Sequence, residues 1–335
     1  STVDVSDYGT FSVNATTGAW DYALDNGNAD VQELAAGESL IETFTVTVDD
    51  GNGGTATQDV TITINGTNDV AVITGGITGS TTEDGDELTA SGTLHVSDVD
   101  SGEGSFAFTS SLAGTYGSFV FDLDNGEWGY TLDVASFAAQ ALSDGDVVSD
   151  TLTVTTDDGT TETIVITING TNDVPVVTSA VQAGVLTEES GLTASGQVTS
   201  SDVDASDVAT YSTVDVSDYG TFSVNATTGA WDYALDNGNA DVQELAAGES
   251  LIETFTVTVD DGNGGTATQD VTITINGTND VPVVTSAVQA GVLTEESGLT
   301  ASGQVTSSDV DASDVATYST VDVSDYGTFS VNATT

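Results

Sequence analysis

Apolar and polar residues alternate with a period of two along much of the chain. Residues 254–259 read TFTVTV and residues 271–275 read VTITI, so one face of each segment is apolar and the other carries threonine. This period is typical of antiparallel strands with one buried face. Because residues 260–265 between them read DDGNGG, the pattern predicts a β-hairpin with a turn rich in Gly and Asn.

A second hairpin is predicted around NATTG at residues 225–229, which lies between TFSV and AWDYAL. We expect its inward positions to form an aromatic core rather than a platform for stacking sugars. A helical pattern occurs only in ADVQELAAG, residues 240–248, where we expect one or two turns that end at the glycine. The predicted inward positions are Phe222, Val224, Trp231, Tyr233 and Leu235.

Long stretches of the sequence occur twice. Ser1 to Val70 is identical to Ser212 to Val281, and Ile166 to Thr228 is identical to Ile273 to Thr335. INGTNDV closes a strand pattern three times, and its Asp is taken as the end of a unit. Each complete unit has the size of an ordinary domain and can bury its own core. The predicted units are 1–69 (the C-terminal part of a truncated repeat), 70–173 and 174–280 (complete repeats), and 281–335 (the N-terminal part of a truncated repeat).

The charge of the chain is extreme. It has 54 acidic residues, no Lys or Arg, and a formal net charge of -54. No carboxylate can pair with a basic Lys or Arg side chain of the same chain, so counter-ions must come from solution. We therefore expect no nucleic-acid partner. A hydrophobic content of 38%, with regularly spaced aromatic residues, argues against disorder.

Several residue types and segments are missing. The chain has no Cys for disulfides or thiolate metal sites and no Met, and no apolar run approaches the roughly 18 residues of a membrane span. We expect no membrane insertion in this segment and interpret it as an internal piece of a longer protein. The single His, His95, lies in a strand pattern where we expect it to face solvent.

Oxygen-bearing side chains recur at fixed intervals. Each Asp-x-Asp follows the preceding Asn-Asp by 29 residues, as from Asp69 to Asp98 or from Asp280 to Asp309. Alternating carboxylates project to one side of an extended segment, and calcium takes six to eight oxygen ligands. The spacing predicts Ca2+ held between the end of one unit and the Asp-x-Asp of the next. The recurring groups in the complete units are Glu83 with Asp84, Glu188 with Glu189, Asp98 with Asp100, Asp202 with Asp204, Asn172 with Asp173, and Asn279 with Asp280.

Each motif also has a purely structural interpretation. Asn-Gly-Thr-Asn-Asp could be a turn without any metal, since Asn, Gly and Asp tolerate turn geometry. Asp-Asp-Gly, as at Asp260 to Gly262, is interpreted as hairpin chemistry. Neither Asp-Asp-Gly nor Asp-Val-Asp fits the twelve-residue EF-hand loop.

The run from YGTFSVNATTGAWDYALDN through LAAGESLIETFTVTVDDGNGG to VTITINGTNDVPVV resembles the VCBS repeat of giant bacterial surface adhesins of the RTX type. This resemblance covers essentially the whole chain. Leu-Asp in WDYALD, Asp-Asp-Gly and Asn-Asp-x-Pro are similar to motifs of cadherin repeats. The expected fold class is therefore all-β, with tandem immunoglobulin-like or cadherin-like β-sandwich domains in an elongated array, which the short strands and the size of each unit also favour.

The cadherin resemblance implies a set of calcium ligands at each junction between units. The linker starts with Asn where cadherins have Asp, and Val134 follows Asp133 where the other units have Asn, so we expect fewer or weaker ions than at a cadherin junction. The implied ligands are Asp25, Asn68, Asp69, Asp98 and Asp100 at the first junction; Glu83, Asp133, Asn172, Asp173, Asp202 and Asp204 at the second; and Glu188, Asp236, Asn279, Asp280, Asp309 and Asp311 at the third.

Catalysis is not expected. The repeated scaffold offers neither a nucleophile with its base nor a cation to stabilise an oxyanion. We expect a structural spacer on the bacterial cell surface, with calcium and neighbouring repeats as partners, serving cell adhesion and biofilm formation. Host or surface glycans and proteins would be bound by domains outside this segment. Two alternatives remain open: repeats that themselves bind a glycan or protein, and the stalk of a secreted toxin or enzyme.

Overall fold

The computed structural model describes residues 2–334. With 44% of the residues in strands and 4% in helices, the protein is all-β, as the alternating pattern predicts. The chain divides into two compact units, Ser1–Thr171 and Asn172–Thr335.

The described part of the first unit, residues 2–171, contains thirteen strands and two single helical turns. The strands are β1 Thr2–Val5, β2 Gly9–Val13, β3 Trp20–Leu24, β4 Ser39–Asp49, β5 Thr55–Asn65, β6 Val72–Gly75, β7 Thr78–Thr82, β8 Thr89–Ser97, β9 Phe106–Thr109, β10 Gly117–Phe121, β11 Glu127–Leu132, β12 Val147–Thr156 and β13 Thr161–Asn169. The helical turns are α1 Ala29–Gln32 and α2 Phe137–Gln140.

Strands β6 to β13 of the first unit form a β-sandwich. One sheet has the order β10-β11-β8-β6 and the other the order β7-β13-β12-β9. Trp128 and Tyr130 of the first sheet face Leu152, Ile164 and Ile166 of the second in one hydrophobic core, and all are 3% exposed or less. Residues before β6 form the sheet β1-β2-β3 and the hairpin β4-β5.

The second unit contains the remaining eleven strands and one helical turn, α3 Ala240–Gln243. The strands are β14 Val176–Val177, β15 Gln182–Thr187, β16 Thr193–Gln197, β17 Ser200–Ser201, β18 Thr210–Ser212, β19 Gly220–Val224, β20 Ala230–Leu235, β21 Ser250–Asp260, β22 Thr266–Asn276, β23 Val283–Val284 and β24 Ser307–Ser308. The sandwich of this unit pairs the sheet β16-β20-β19 with the sheet β15-β22-β21-β18.

The predicted hairpins and core positions of the second unit are confirmed. Strands β21 and β22 pair antiparallel across the DDGNGG turn, and β19 pairs antiparallel with β20 across NATTG. The six apolar residues predicted on one face of β21 and β22 are at most 1% exposed, Trp231, Tyr233 and Leu235 are buried, and Phe222 and Val224 are half-buried against them. His95 is exposed, as expected. The apolar positions of β21 and β22 are Phe255, Val257, Val259, Val271, Ile273 and Ile275.

The predicted helical segment forms a single turn, which ends before the glycine at which we expected it to end. Helix α3 ends at Gln243 with Glu244 as its C-cap, and Gly248 lies beyond it with a φ of 95°. The glycine therefore serves the turn that follows, where the N–H of Glu249 donates to the carbonyl of Ala246, because a positive φ suits glycine in a tight turn.

One strand of each sandwich pairs in parallel with the last strand of the same repeat. Strand β7 runs parallel to β13, and β15 runs parallel to β22 over six residue pairs. This pairing brings the end of β15 beside the end of β22, so that Thr187 lies opposite Asn276. The residues that follow the two strands therefore start side by side.

Identical sequence is buried to different degrees in different parts of the chain. Trp20 is 47% exposed and Leu24 is 42% exposed, whereas their counterparts Trp231 and Leu235 are 1% and 8% exposed. Residues 1–69 repeat 212–280, but a facing sheet such as β15-β22-β21-β18 includes β15, which has no counterpart there. Burial of the aromatic core thus requires both halves of the repeat.

Candidate metal centre

The linker after β22 is held against the turn that follows α3. The N–H of Gly277 donates to the carbonyl of Glu249 at 3.0 Å. A Cβ on Gly277 would lie 2.3 Å from the carbonyl oxygen of Leu245 and 2.5 Å from that of Ala246. The glycine of INGTNDV is therefore required by close backbone packing, which fixes where the Asn-Asp begins.

Glu188 and the linker meet at the end of the parallel pair β15 and β22. The N–H of Glu188 donates to the carbonyl of Asn276 at 3.1 Å, and its Oε1 accepts the N–H of Thr278 at 2.6 Å. The N–H of Asp280 donates to Oδ2 of Asp311 at 2.9 Å, and the N–H of Asp311 donates to Oδ1 of Asp309. The second unit thus assembles the buried Glu, the linker Asp and the Asp-x-Asp predicted for the third junction.

Burial and repulsion act on the same carboxylates. Glu188 is 0% exposed and Asp311 is 2% exposed. Glu188 Oε2 and Asp311 Oδ1 are buried and carry no hydrogen bond within residues 2–334. Burial raises the pKa of Glu188, and the charges of Asp280 and Asp311 raise it further, against a lowering by the N–H of Thr278. Burial, Asp311, Glu189 and Asp309 raise the pKa of Asp280.

A hard divalent cation fits this arrangement. Buried carboxylate oxygens that lack a donor destabilise the fold unless a positive charge compensates them, and the chain has no Lys or Arg to supply it. Carboxylate oxygens are the ligands that calcium prefers. Glu188, Asp280, Asp309 and Asp311 are the residues that would hold the ion, which would offset their mutual repulsion.

The contact between the linker Asp and the second Asp of Asp-x-Asp recurs along the chain. The N–H of Asp69 donates to Oδ2 of Asp100 at 2.7 Å, and the N–H of Asp173 donates to Oδ2 of Asp204 at 2.8 Å. Within each Asp-x-Asp motif the backbone N–H of the second Asp donates to Oδ1 of the first Asp, which is Asp98 in one motif and Asp202 in the other. At each of the three places the linker Asp therefore contacts the Asp-x-Asp motif through the second Asp, two residues beyond the 29-residue interval.

The Asn of each linker bonds its neighbour. The Nδ2 groups of Asn68, Asn172 and Asn279 donate to the carbonyl of the following Asp at 2.6, 2.7 and 2.5 Å. This hydrogen bond uses the amide nitrogen, and the Oδ1 of Asn172 is buried with no hydrogen bond in the described residues. An amide oxygen in this position is a suitable calcium ligand.

Glu83 occupies the position of Glu188 in the first unit. It is 0% exposed, and its N–H donates to the carbonyl of Asn169 at 3.0 Å. The buried Glu therefore follows the same parallel strand pair in both complete sandwiches.

The Leu-Asp carboxylates lie in a different setting from the buried Glu. Asp25, Asp133 and Asp236 are exposed. Each accepts the N–H of the residue two positions later, at 3.0 to 3.1 Å, in the turn that precedes a helical turn. The structure shows this turn role, and their role as metal ligands stays a prediction.

Three further carboxylates, which the sequence analysis did not predict as ligands, lie beside the Asp-x-Asp motifs. Asp207 and Asp261 each place a carboxylate oxygen within 4.8 Å of one on Asp202, and Asp314 does the same with Asp309 and Asp311. Asp202 Oδ2, Asp204 Oδ1 and Asp207 Oδ2 are buried without a hydrogen bond in the described residues. The spacing Asp-x-Asp-x-x-Asp, which reads Asp-x-Asp-x-x-Glu at residues 98–103, was the available signal.

The Asp-Asp-Gly motif does form hairpin contacts, as predicted. Asp261 Oδ1 accepts the N–H groups of Asn263 and Gly265 at 2.7 and 3.0 Å, while its Oδ2 accepts Asn172 Nδ2 at 3.1 Å. Although burial raises the pKa of Asp261, these hydrogen bonds hold it below its usual range. The carboxylate therefore stays charged beside Asp202 and Asp207, where it can serve a cation as well as the turn.

Two domain families match the sequence. The bacterial cadherin-like domain matches residues 172–277, and the bacterial Ig domain matches residues 1–63. No curated protein gives a significant match. None of the helices in residues 2–334 is long and apolar enough to cross a membrane.

The solved structures that are similar to this chain include extracellular cadherin fragments. Protocadherin gamma B7 extracellular cadherin domains 1–4 are 18% identical, with 90% of this chain and 73% of that chain covered and a TM-score of 0.44. The protocadherin gamma B4 extracellular domain is 18% identical, with 97% of this chain and 52% of that chain covered and a TM-score of 0.45. This chain therefore spans about half of that one. Mouse clustered protocadherin gamma C3 domains 1–3 are 15% identical, with 80% of this chain and 85% of that chain covered and a TM-score of 0.38.

The two family matches agree with the β-sandwiches and with the sequence repeats. Domains of these two types are typically non-catalytic, and they indicate an extracellular repeat array of the adhesion type. The chain is a tandem array of cadherin-like and immunoglobulin-like β-sandwich domains.

Proposed function

We propose that the chain is a spacer segment of a calcium-dependent bacterial cell-surface adhesin, and that it separates a terminal binding domain from the cell. In this role calcium binds where one repeat ends and the next begins, along the predicted boundaries at residues 69, 173 and 280. The ion restricts the hinge at each boundary and makes the array rigid enough to support adhesion and biofilm formation.

One observation carries this proposal. At the predicted boundary after residue 280, the N–H of Asp280 donates to Asp311, and the charges of both residues act on the buried Glu188. Buried oxygens of Glu188 and Asp311 have no donor within residues 2–334. Side chains from both sides of a boundary thus share one region of negative charge. A cation bound there favours the arrangement in which the two sides are close together.

The near-identical repeats support a spacer over a binding module. Residues 1–70 and 212–281 are identical, and duplication lengthens an array without creating a new surface. If each repeat bound a partner of its own, we would instead expect the exposed loops to differ between repeats. Extracellular calcium-binding modules work at dissociation constants of about 10⁻⁴ to 10⁻³ M. A location outside the cell therefore suits calcium sites of this affinity.

The test is small-angle X-ray scattering of the 335-residue chain with calcium and with a chelator. We expect a larger and better-defined maximum dimension with calcium. The double substitution Asp202→Asn with Asp204→Asn should reproduce the calcium-free behaviour at a single boundary. A maximum dimension that does not change with calcium would contradict the stiffening mechanism, and binding of the repeats to a glycan array would favour the module.

A further inference from the structure

The residue after each buried Glu has a left-handed backbone. The φ angle is 64° for Glu189, after the buried Glu188, and 50° for Asp84, after the buried Glu83. Glu296, after the exposed Glu295, also has a positive φ of 66°, and these three are the positive φ values among non-glycine residues 2–334. Residues other than glycine rarely adopt this backbone conformation, and they keep it where the surrounding structure holds it. Contacts that hold Glu189 in this conformation therefore help to place Glu188 at the candidate metal site.

Asn237 supplies that restraint in the second unit. Its Oδ1 accepts the N–H of Glu189 at 3.0 Å, and its Nδ2 donates to Oε1 of Glu189 at 3.1 Å. Gln243 Nε2 also donates to the same Oε1 at 3.3 Å. One Asn side chain thus holds both the backbone and the carboxylate of the left-handed residue, and the bonds to the carboxylate are charge-assisted.

The first unit has only part of this restraint. Gln140 Nε2 donates to Oδ1 of Asp84 at 3.3 Å, as Gln243 does to Glu189. Val134, however, follows Leu-Asp at the position of Asn237, and a valine side chain can neither accept the N–H of Asp84 nor donate to its carboxylate. The two complete repeats therefore differ in one hydrogen-bonding residue behind the buried Glu.

We propose that Asn237 is a positioning residue for calcium binding by Glu188, and that Val134 leaves calcium binding by Glu83 weaker. This role rests on the calcium-dependent function proposed above. Asn237 fixes the Glu189 turn, and the adjoining Glu188 is then held with Oε1 on the N–H of Thr278, 2.6 Å away, and with Oε2 buried and without a hydrogen bond. Without the Asn, the N–H and the carboxylate of Glu189 each lose a hydrogen bond, so that the adjoining Glu188 is held less firmly.

The restraint also keeps Glu189 away from the ion. Glu189 is exposed, and its charge already acts on both Glu188 and Asp280. With its Oε1 engaged by Asn237 and Gln243, the second carboxylate is directed to the α3 turn. Asn237 thereby selects which member of the acidic pair is the ligand.

The test is a calcium titration by calorimetry on the full chain, with reciprocal substitutions. Asn237→Val should weaken one class of site by about tenfold, because outer residues that orient metal ligands typically contribute that much to affinity. Val134→Asn should strengthen another class. Asn237→Asp retains the acceptor for the Glu189 N–H but cannot donate to its carboxylate. We expect this variant to fold but to bind calcium more weakly than the wild type.

A double-mutant cycle with Glu188→Gln separates positioning from general stability. If Asn237 acts through Glu188, Asn237→Val causes no further loss of affinity in the Glu188→Gln background. Equal losses in both backgrounds, or an unchanged affinity of Asn237→Val, would overturn the positioning role while leaving the proposed function intact. A wild-type chain that binds no calcium would overturn the proposed function, and this role with it.

Discussion

The N–H of Asp280 donates a hydrogen bond of 2.9 Å to Oδ2 of Asp311. The two residues are neighbours in space although a predicted boundary between repeats separates them in sequence. The same bond joins Asp69 to Asp100. Since the bond uses only Oδ2, Oδ1 of Asp311 stays buried without a donor in the described residues, and a cation can bind it.

Removal of calcium should destabilise the chain. Each occupied site adds about 2.7 kcal/mol to the free energy of unfolding when calcium is present at 100 times its dissociation constant. Differential scanning calorimetry in calcium and in a chelator should show transitions that move to lower temperature without the metal. Magnesium at the same ionic strength is the control for simple screening, because it accepts fewer protein ligands than calcium.

Asp207→Asn tests one of the candidate ligands that the sequence analysis did not predict. Asp207 Oδ2 is buried without a donor in residues 2–334, close to Asp202 and Asp261. We expect calcium affinity to fall for one class of site by about tenfold or more. Asp232→Asn is the matched control, since Asp232 is exposed on β20 and the substitution removes the same charge. Equal effects of the two substitutions would show that only overall charge matters.

The pH dependence should change sign with calcium. The folded-state pKa values of Glu188, Asp204 and Asp280 are raised above their usual values, mainly by burial. Between the ordinary carboxylate pKa and these raised values the folded chain binds more protons than the unfolded chain, so its stability in a chelator should increase as pH falls through that window.

With saturating calcium the opposite trend is expected. The ion requires deprotonated ligands, so acidification releases it and removes its contribution to stability. Urea unfolding between pH 7 and pH 4.5, with and without calcium, measures both slopes. Parallel slopes in the two conditions would contradict the assignment of these carboxylates as ligands.

Tyr130→Phe should destabilise the sandwich of the first unit. The Tyr130 hydroxyl donates to Oδ2 of Asp150 at 2.7 Å, and Asp150 is 4% exposed. Hydrogen bonds to charged groups contribute about 1.5 to 3 kcal/mol. The free energy of unfolding should therefore fall by about 2 kcal/mol, measured by chemical denaturation, while calcium affinity stays unchanged. Tyr326→Phe is the control, because Tyr326 is fully exposed.

Gly277→Ala should affect both stability and calcium binding. A Cβ would lie 2.3 Å from the carbonyl oxygen of Leu245, whereas a Cβ on Gly76 meets nothing within 4 Å. Forcing extra volume into a packed region costs about 1 to 3 kcal/mol, and the linker that carries Asp280 would have to move. Gly76→Ala should be close to neutral in thermal unfolding and in calcium titration. Similar results for the two variants would show that the linker glycine is dispensable.

The period of two was enough to predict the hairpins, the buried faces of β21 and β22 and the all-β class, because these depend on local alternation. The interval from Asp280 to Asp309 likewise placed the linker beside the Asp-x-Asp. The proximity of Asp261 to Asp202 could not be read from the sequence. It depends on how the β21 and β22 hairpin packs at the end of the sandwich, which involves residues 59 positions apart.

The left-handed turn at Glu189 was also beyond the sequence pattern. An acidic pair gives no sign that its second member has a φ of 64°, since Glu rarely adopts this conformation. The substitution of Val134 for the Asn found in the other repeats was visible, but only the hydrogen bonds of Asn237 show its physical meaning.

The parallel pairing of β15 with β22 determines how a repeat responds to force. The chain enters the repeat through the segment before β15 and leaves it after β22, and the two strands run side by side in the same direction over six residue pairs. Tension between entry and exit therefore pulls the strands past each other along their length. Their hydrogen bonds are loaded together in shear rather than opened one at a time, so each repeat should resist extension as a mechanical clamp.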